Sequence, residues 1–382
     1  MNEFMFSIPQ NIVFGKGSLN KLPDLLGKTV PGKVLIISDR GLERVGAVKR
    51  VTDILDLAGT QHQEFLDIEA NPSIDTVNAG LAAYVECNAA GIIALGGGSP
   101  MDVAKAVGVL AVYGGEIRQY EGAHLVPGKI TPIIAIPTTA GTGSEVTAFS
   151  VITDKARNYK LTVFSYELVP SYALLDPELI MSLPAPVAAA TGMDALVHAI
   201  EAYLSKAASP FTDAMAEKAM MMIGKNIRRF VADRSNEEAA SSMLLASTFA
   251  GLAFAWARLG DVHAMAHPLG GFFNVPHGVA NAILLPTVLE FNAITDNGRY
   301  EVIYDLIKEG KDKILYFDPY TLIREVRRLI SDLEIPDGLG HVGVTTDKIP
   351  EMAADAMKSG NVAVNPRKTT IKDIEFLYHK AM

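Results

Sequence analysis

Gly91-Ile92-Ile93-Ala94-Leu95-Gly96-Gly97-Gly98-Ser99-Pro100-Met101-Asp102 reads as a strand, a glycine turn and the opening of a helix. The strand is apolar on both faces, so both faces must be covered. The glycines let the backbone take positive φ and approach a ligand closely. Ser99 is the expected N-cap, Pro100 suits the first helical position, and Asp102 is placed to close a capping box. Free N–H groups at such a helix start attract an anion, most simply a pyrophosphate. An ordinary capped turn does not need three consecutive glycines. Gly97, Gly98 and Ser99 are therefore expected to hold a phosphate, with Asp102 counted among the cofactor-binding residues.

The same alternation runs outward from this stretch. Strands are expected at Ile12–Gly15, Gly32–Asp39, Glu64–Ile68 and Pro132–Pro137, with helices at Val48–Ala58, Ile74–Cys87 and Ser99–Ala111. Strands alternating with helices indicate a parallel sheet covered by helices. Asp39 ends one strand. It is either a helix-start acid or a partner for adenosine ribose hydroxyls, in which role it favours NAD over NADP. A second strand-end loop, Pro137-Thr138-Thr139-Ala140-Gly141-Thr142-Gly143-Ser144-Glu145, offers small hydroxyls to ribose, phosphate or a carboxamide. Neither loop matches G-x-G-x-x-G, so a standard Rossmann domain is not supported. Lys160 is expected near the same region if the chain after Val151 turns back as a hairpin.

The pattern changes after Leu183-Pro184. Helical periodicity then recurs at 186–204, 210–231, 236–256, 261–272, 278–292, 297–309, 319–333, 348–358 and 370–379. This sets an α/β domain at 1–184 and an all-helical domain at 185–382. No linker tract separates them, so they are expected to pack around one cleft. In the helical half, Asp194 and His198 are one turn apart on one helix face, and His263 and His267 repeat the spacing. His277 sits at a Pro-His-Gly turn before another helix. A lone histidine on an apolar helix is usually a packed core residue. Two such pairs plus a histidine at a helix start point instead to a divalent metal held by N and O atoms. Spacing alone does not separate His263 from His267 as the ligand.

Composition sets bounds on the rest. The chain has 382 residues, 49% hydrophobic and 20% charged, with a net charge of −9. No Lys/Arg-rich run appears, which argues against a nucleic-acid partner. The opening Met1-Asn2-Glu3-Phe4-Met5-Phe6 lacks the basic and apolar regions of a secretory signal. No uncharged apolar run is expected to reach the roughly 18 residues of a membrane span. Cys87 is the sole cysteine, which rules out an intrachain disulfide and a Cys-based metal site. A cytoplasmic protein without a membrane partner is the expectation.

These motifs together resemble the iron-dependent (group III) alcohol dehydrogenases over essentially the full length. The resemblance is carried by GGGSPMDVAKAVG at 96–108, IPTTAGTGSEVT at 136–147, TGMDALVHAIEAY at 191–203, HAMAHPLGG at 263–271, PHGVANAILLP at 276–286 and Asn365-Pro366-Arg367. It implies a dehydroquinate synthase-like fold, with an α/β nucleotide-binding domain and an all-α metal-binding domain. It implies Asp194, His198, His263 and His277 as ligands of Fe²⁺, with Zn²⁺ or another divalent metal as alternatives. His267 is implied to stand near the nicotinamide and assist proton movement. NAD contacts are implied at Asp39, Gly97, Gly98, Ser99, Thr138, Thr139, Thr142, Val151 and Lys160. The implied reaction is hydride transfer between a small alcohol or diol, or its aldehyde, and NAD. The chain departs from related sequences at Trp256-Ala257-Arg258-Leu259-Gly260-Asp261 and at Phe149. With Phe254 and Val362, these residues suggest an apolar substrate pocket. A zinc glycerol dehydrogenase, a hydroxyacid–oxoacid transhydrogenase and a lyase of the wider superfamily are the rival enzymes. The few basic residues on the metal helices count against the lyase. A non-catalytic sensor would be expected to have a damaged ligand set. The N-terminal β segment could pair across a two-fold axis, which makes a homodimer the expected assembly.

Overall fold

The computed structural model describes residues 4–8, 10–157, 159–310 and 315–382. Met1–Glu3, part of the segment read for a secretory signal, lie outside them. The chain divides into two compact units. One is Ser7–Ser182, and the other is Leu183–Met382 together with residues 4–6. Residues 4–6 join the helical unit because Phe6 stacks on Phe211, with ring centroids 5.3 Å apart, and touches Trp256.

The sheet unit runs β1 (Asn11–Phe14), α1 (Leu22–Thr29), β2 (Val34–Ile37), α2 (Arg40–Arg44), α3 (Ala47–Leu57), β3 (His62–Phe65), α4 (Ile74–Glu86), β4 (Gly91–Gly96) and α5 (Gly98–Tyr113). It continues with β5 (Gly122–Ala123), β6 (Ile133–Pro137), β7 (Phe149–Asp154), β8 (Tyr159–Phe164) and β9 (Tyr172–Leu175). Among the described residues, six strands form a sheet in the order β1-β9-β6-β4-β2-β3, and every pairing is parallel. The central strands are apolar throughout because helices cover both faces: Val34–Ile37 and Ile92–Leu95 are fully buried. Each Val, Leu or Ile side chain among them contributes about 1.5–3 kcal/mol by leaving water. A second sheet holds the antiparallel hairpin β7–β8, with β5 added along β8.

The strand order places a switch point between β2 and β4, since β2 leads outward to β3 while β4 leads inward to β6. Ligands of open parallel sheets bind beyond the strands' carboxyl ends at such a point. Asp39, Gly97 and Thr138 follow β2, β4 and β6, three adjacent strands.

The helical unit comprises α6 (Ala185–Leu204), α7 (Pro210–Ala232), α8 (Glu237–Ala257), α9 (Asp261–Phe273), α10 (His277–Asn292), α11 (Arg299–Ile307), α12 (Pro319–Asp332), α13 (Ile349–Ala356) and α14 (Ile371–Lys380). The expectation about apolar runs needs correction. Glu237–Ala257 and His277–Thr295 are long and apolar enough to cross a membrane, but 72% and 61% of their apolar windows are buried inside the protein. Helices apolar on all sides are what a helical core requires. Polar caps still start the outer helices, as Ser209 and Thr212 do reciprocally for α7.

Candidate functional site

In the helical unit, α6, α9 and α10 converge on one small cluster. Asp194, His263 and His277 each offer a ligand atom, and these atoms lie within 4.8 Å of one another. Asp194 Oδ1 is 3.7 Å from His263 Nε2 and 3.8 Å from His277 Nε2. Ligands each about 2.1 Å from a shared cation lie about 3–4 Å apart, so this spacing fits a divalent transition metal. Asp194 and His263 are buried, while the His277 side chain is 34% exposed, so the cluster is open on the His277 side.

Electrostatics support the same reading. Burial by itself would raise the Asp194 carboxyl. The charges of His198 and His277, with His263 nearby, overcome this and hold it well below the usual carboxylate range. Burial would lower His263, yet Asp194 and Glu201 push its imidazole up to about 9. Two carboxylates flanking one buried imidazole therefore attract positive charge to this point.

The remaining predicted residues surround the cluster at different depths. His198, one turn after Asp194, stacks on His263 with ring centroids 4.4 Å apart and lies outside the tightest group. Phe254 stacks on the other neighbour, His198, also at 4.4 Å. His267 lies parallel to His277, centroids 5.4 Å apart, on the accessible side. His263 faces Asp194, and His267 does not join that group. Val362 is half-buried in a short turn, Val362–Val364. Asp261 is fully buried and accepts from Thr369 Oγ1 at 2.5 Å, so it anchors the start of α9 and does not line a pocket.

Two residues of this site carry signals that the sequence reading passed over. Asn281, one turn after His277, donates its amide to Asp194 Oδ1 at 2.6 Å. Glu201, seven residues after Asp194 on the same face of α6, lies 2.6 Å from His263 Nδ1. A buried acid in an otherwise Ala-rich, apolar helix was the clue to Glu201.

In the sheet unit the two glycine-rich loops pack against each other. A Cβ on Gly97 would meet Thr139 Oγ1 at 3.2 Å, and one on Gly98 would meet Thr142 Cγ2 at 3.3 Å. The capping expectation is corrected here. Gly97, not Ser99, is the N-cap of α5, and no side chain caps this helix. The helix starts two residues early, so that Pro100 is its third residue and not its first, and first-turn N–H groups are left for a ligand. Asp102 makes no capping box. It accepts from Ser144 Oγ at 3.3 Å behind the turn, and burial pushes its carboxyl up to about 6 against the pull of Lys105.

Asp39 caps α2, accepting from Leu42 N at 3.0 Å, and stays half-buried at the end of β2. Thr138 is buried and bonds back to Gly96 O at 3.1 Å. Val151 pairs with Thr162 in the β7–β8 hairpin, which does fold back as expected. Lys160 Nζ then reaches Asn71 Oδ1 at 2.7 Å, and burial lowers its pKa. Asn71 opens the Asn-Pro-Ser turn before α4, with a φ of 58°; the sequence marks it as a turn residue and not as a partner of Lys160. Phe149, also in β7, stacks on Phe164 with centroids 4.7 Å apart.

The comparisons with known proteins cover both units. Residues 9–177 match the family profile described as iron-containing alcohol dehydrogenase, and residues 188–382 match the C-terminal profile of the Fe-containing alcohol dehydrogenase family. The 1,3-propanediol dehydrogenase of Citrobacter freundii is 39% identical over 381 residues, covering 99% of this chain and 98% of the relative. The NAD-dependent methanol dehydrogenase of Bacillus methanolicus is 35% identical over 378 residues, covering 99% of each chain. The crystal structure of a 1,3-propanediol oxidoreductase superposes with a TM-score of 0.96 at 38% identity, covering 100% of each chain.

Proposed function

This chain belongs to the iron-containing alcohol dehydrogenase family, and on that premise we propose that it interconverts small primary alcohols or diols and their aldehydes with NAD. The observation that carries the proposal is the convergence of Asp194, His263 and His277 on one point, in a chain that also presents an uncapped helix start beside two packed loops. A divalent metal, Fe²⁺ by the family, would polarise the substrate oxygen, and a nicotinamide would accept the hydride.

The chain's own residues divide the remaining work. Asp194, His198, His263 and His277 would hold the metal. One carboxylate and three imidazoles are a donor set that also suits Zn²⁺ or other divalent ions. His267, on the accessible side of His277, is placed to hold or pass the hydroxyl proton. Gly97, Gly98 and Ser99 would offer N–H groups to the pyrophosphate. Thr138, Thr139 and Thr142 would add hydroxyls, and Lys160 a positive charge. Asp39 would bind the ribose hydroxyls and repel a 2′-phosphate, favouring NAD over NADP. Phe254 and Val362 of the helical unit are proposed as apolar contacts for the substrate.

We extend the proposal to a homodimer formed along β1, an edge strand whose Ile12 and Phe14 are exposed. The proposed compartment is the cytoplasm, on the acidic balance of the chain.

Metal analysis of anaerobically purified protein, joined to an alcohol panel with NAD and NADP, tests this reading. One equivalent of metal per chain, lost in His263→Ala together with alcohol oxidation, is the expected result. Retention of metal and full activity in that variant would overturn the site.

A further inference from the structure

Glu201 is a buried acid that the proposed reaction does not use. It follows His198 by three residues and Asp194 by seven, so one face of α6 carries all three. Its two oxygens have separate partners on α9. Oε2 lies 2.6 Å from His263 Nδ1, and Oε1 accepts from Val262 N at 2.7 Å. Val262 is the second residue of α9, and the N-cap of that helix, Gly260, offers no side chain. Glu201 therefore satisfies a first-turn N–H from across a helix contact.

The local backbone is shaped to admit this carboxylate. A Cβ on Gly260 would meet Glu201 Oε1 at 2.9 Å and Asn365 Oδ1 at 3.0 Å. A carboxylate at Nδ1 keeps a proton there and leaves the Nε2 lone pair pointing away from it. Nε2 is the atom grouped with Asp194 and His277. Such outer carboxylates fix imidazole orientation and increase its basicity as a ligand.

We infer that Glu201 is a positioning residue for the metal centre, holding His263 as the Nδ1–H tautomer and supplying, with Asp194, the second negative charge that balances a divalent cation. The inference rests on the reading of Asp194, His263 and His277 as metal ligands.

Glu201→Gln keeps the size of the side chain and removes its charge. Zn²⁺ affinity, read by competition with a chromophoric chelator, is expected to fall by about 10–100-fold, and the visible spectrum of the Co²⁺-loaded enzyme is expected to change. Gly260→Ala keeps the carboxylate but presses on Oε1, so it is expected to show a smaller loss of the same kind. It decides the question if Glu201→Gln fails to fold. A lowered unfolding midpoint with unchanged Zn²⁺ affinity and Co²⁺ spectrum would make Glu201 a helix cap alone and overturn the inference. His263→Ala, measured alongside, separates the two levels. If it keeps its metal, the ligand reading fails. If it loses metal while Glu201→Gln binds like the native protein, only the role of Glu201 fails.

Discussion

The side-chain amide of Asn281 donates to Asp194 Oδ1 at 2.6 Å, linking α10 to α6 at the centre of the site. The same nitrogen is 3.1 Å from His263 Nε2 and 3.2 Å from His277 Nε2. A partly positive N–H₂ group thus faces the three atoms that converge there. Its oxygen is buried and has no hydrogen-bond partner among the described residues, so the amide is held from the nitrogen end only. Asn281→Leu should leave the Asp194 carboxylate without its donor and free to rotate. Metal affinity is then expected to fall by about tenfold, read by chelator competition. Native affinity in this variant would show that Asp194 is oriented by other groups.

Gly278 follows the proposed ligand His277, and its backbone lies against Ala190, one turn before Asp194. A Cβ at Gly278 would press directly on the Ala190 carbonyl, whose carbon would be 2.7 Å away. Backbone in a packed helix gives less readily than a side-chain tip. Gly278→Ala should therefore cost about 1–3 kcal/mol and separate His277 from Asp194. Urea unfolding and metal content measured on the same preparation check this. Native values for both would mean that the two helices slide apart without consequence.

Much of this arrangement is legible in the sequence, for reasons visible at particular residues. Val34–Ile37, Gly91–Gly96 and Ile133–Pro137 announce themselves because a strand covered on both faces must be apolar throughout. Tyr172–Leu175 escapes notice, since four residues give no periodicity and its partners β1 and β6 lie far away in sequence. The helices from Ala185 onward match their periodic segments closely, helped by caps such as Ser209 and Asn236. The partner of Asp102 could not be read locally, because Ser144 is 42 residues away and capping rules see only the neighbouring turn. His263 and His267 are equivalent by spacing; the family resemblance gives them different roles, and in the fold it is His263 that lies near Asp194 on another helix.

Lys105 is fully buried in α5, and its ammonium donates to Ser144 O at 2.8 Å, Phe149 O at 2.9 Å, Ser144 Oγ at 3.0 Å and Thr147 Oγ1 at 3.3 Å. Burial lowers its pKa to about 8, against the raising effect of Asp102 and Glu145. The side chain ties the first glycine loop's helix to the segment that leads from the second loop into β7. Lys105→Met fills the space but leaves those acceptors without their donor and takes from Asp102 the cation that acts on it more strongly than Lys160 does. A stability loss of about 3 kcal/mol is expected, with a weaker affinity for NADH measured by fluorescence titration. A variant as stable as the native chain, with unchanged NADH affinity, would remove Lys105 from the architecture of the loops.

Acid should loosen the β7–β8 hairpin through Asp154. This carboxylate is fully buried and accepts from Arg118 Nε at 2.7 Å, Arg118 Nη2 at 2.9 Å and Arg157 Nε at 2.6 Å. The Arg118 hydrogen bond, followed by those of Arg157, outweighs burial and holds the carboxyl well below its ordinary range. A folded pKa below the unfolded one, near about 4, means that the unfolded chain binds the proton first as pH falls. The contribution of Asp154 is therefore complete at neutral pH, begins to decline as pH approaches about 4, and continues to be lost as pH falls toward the folded pKa. In Asp154→Asn that contribution is absent at every pH. The gap in urea midpoint between the native protein and the variant should stay constant from neutral pH to about pH 5 and narrow steadily below about pH 4. A gap of the same width from neutral pH to about pH 3 would show that the two arginines do not favour the charged form of Asp154.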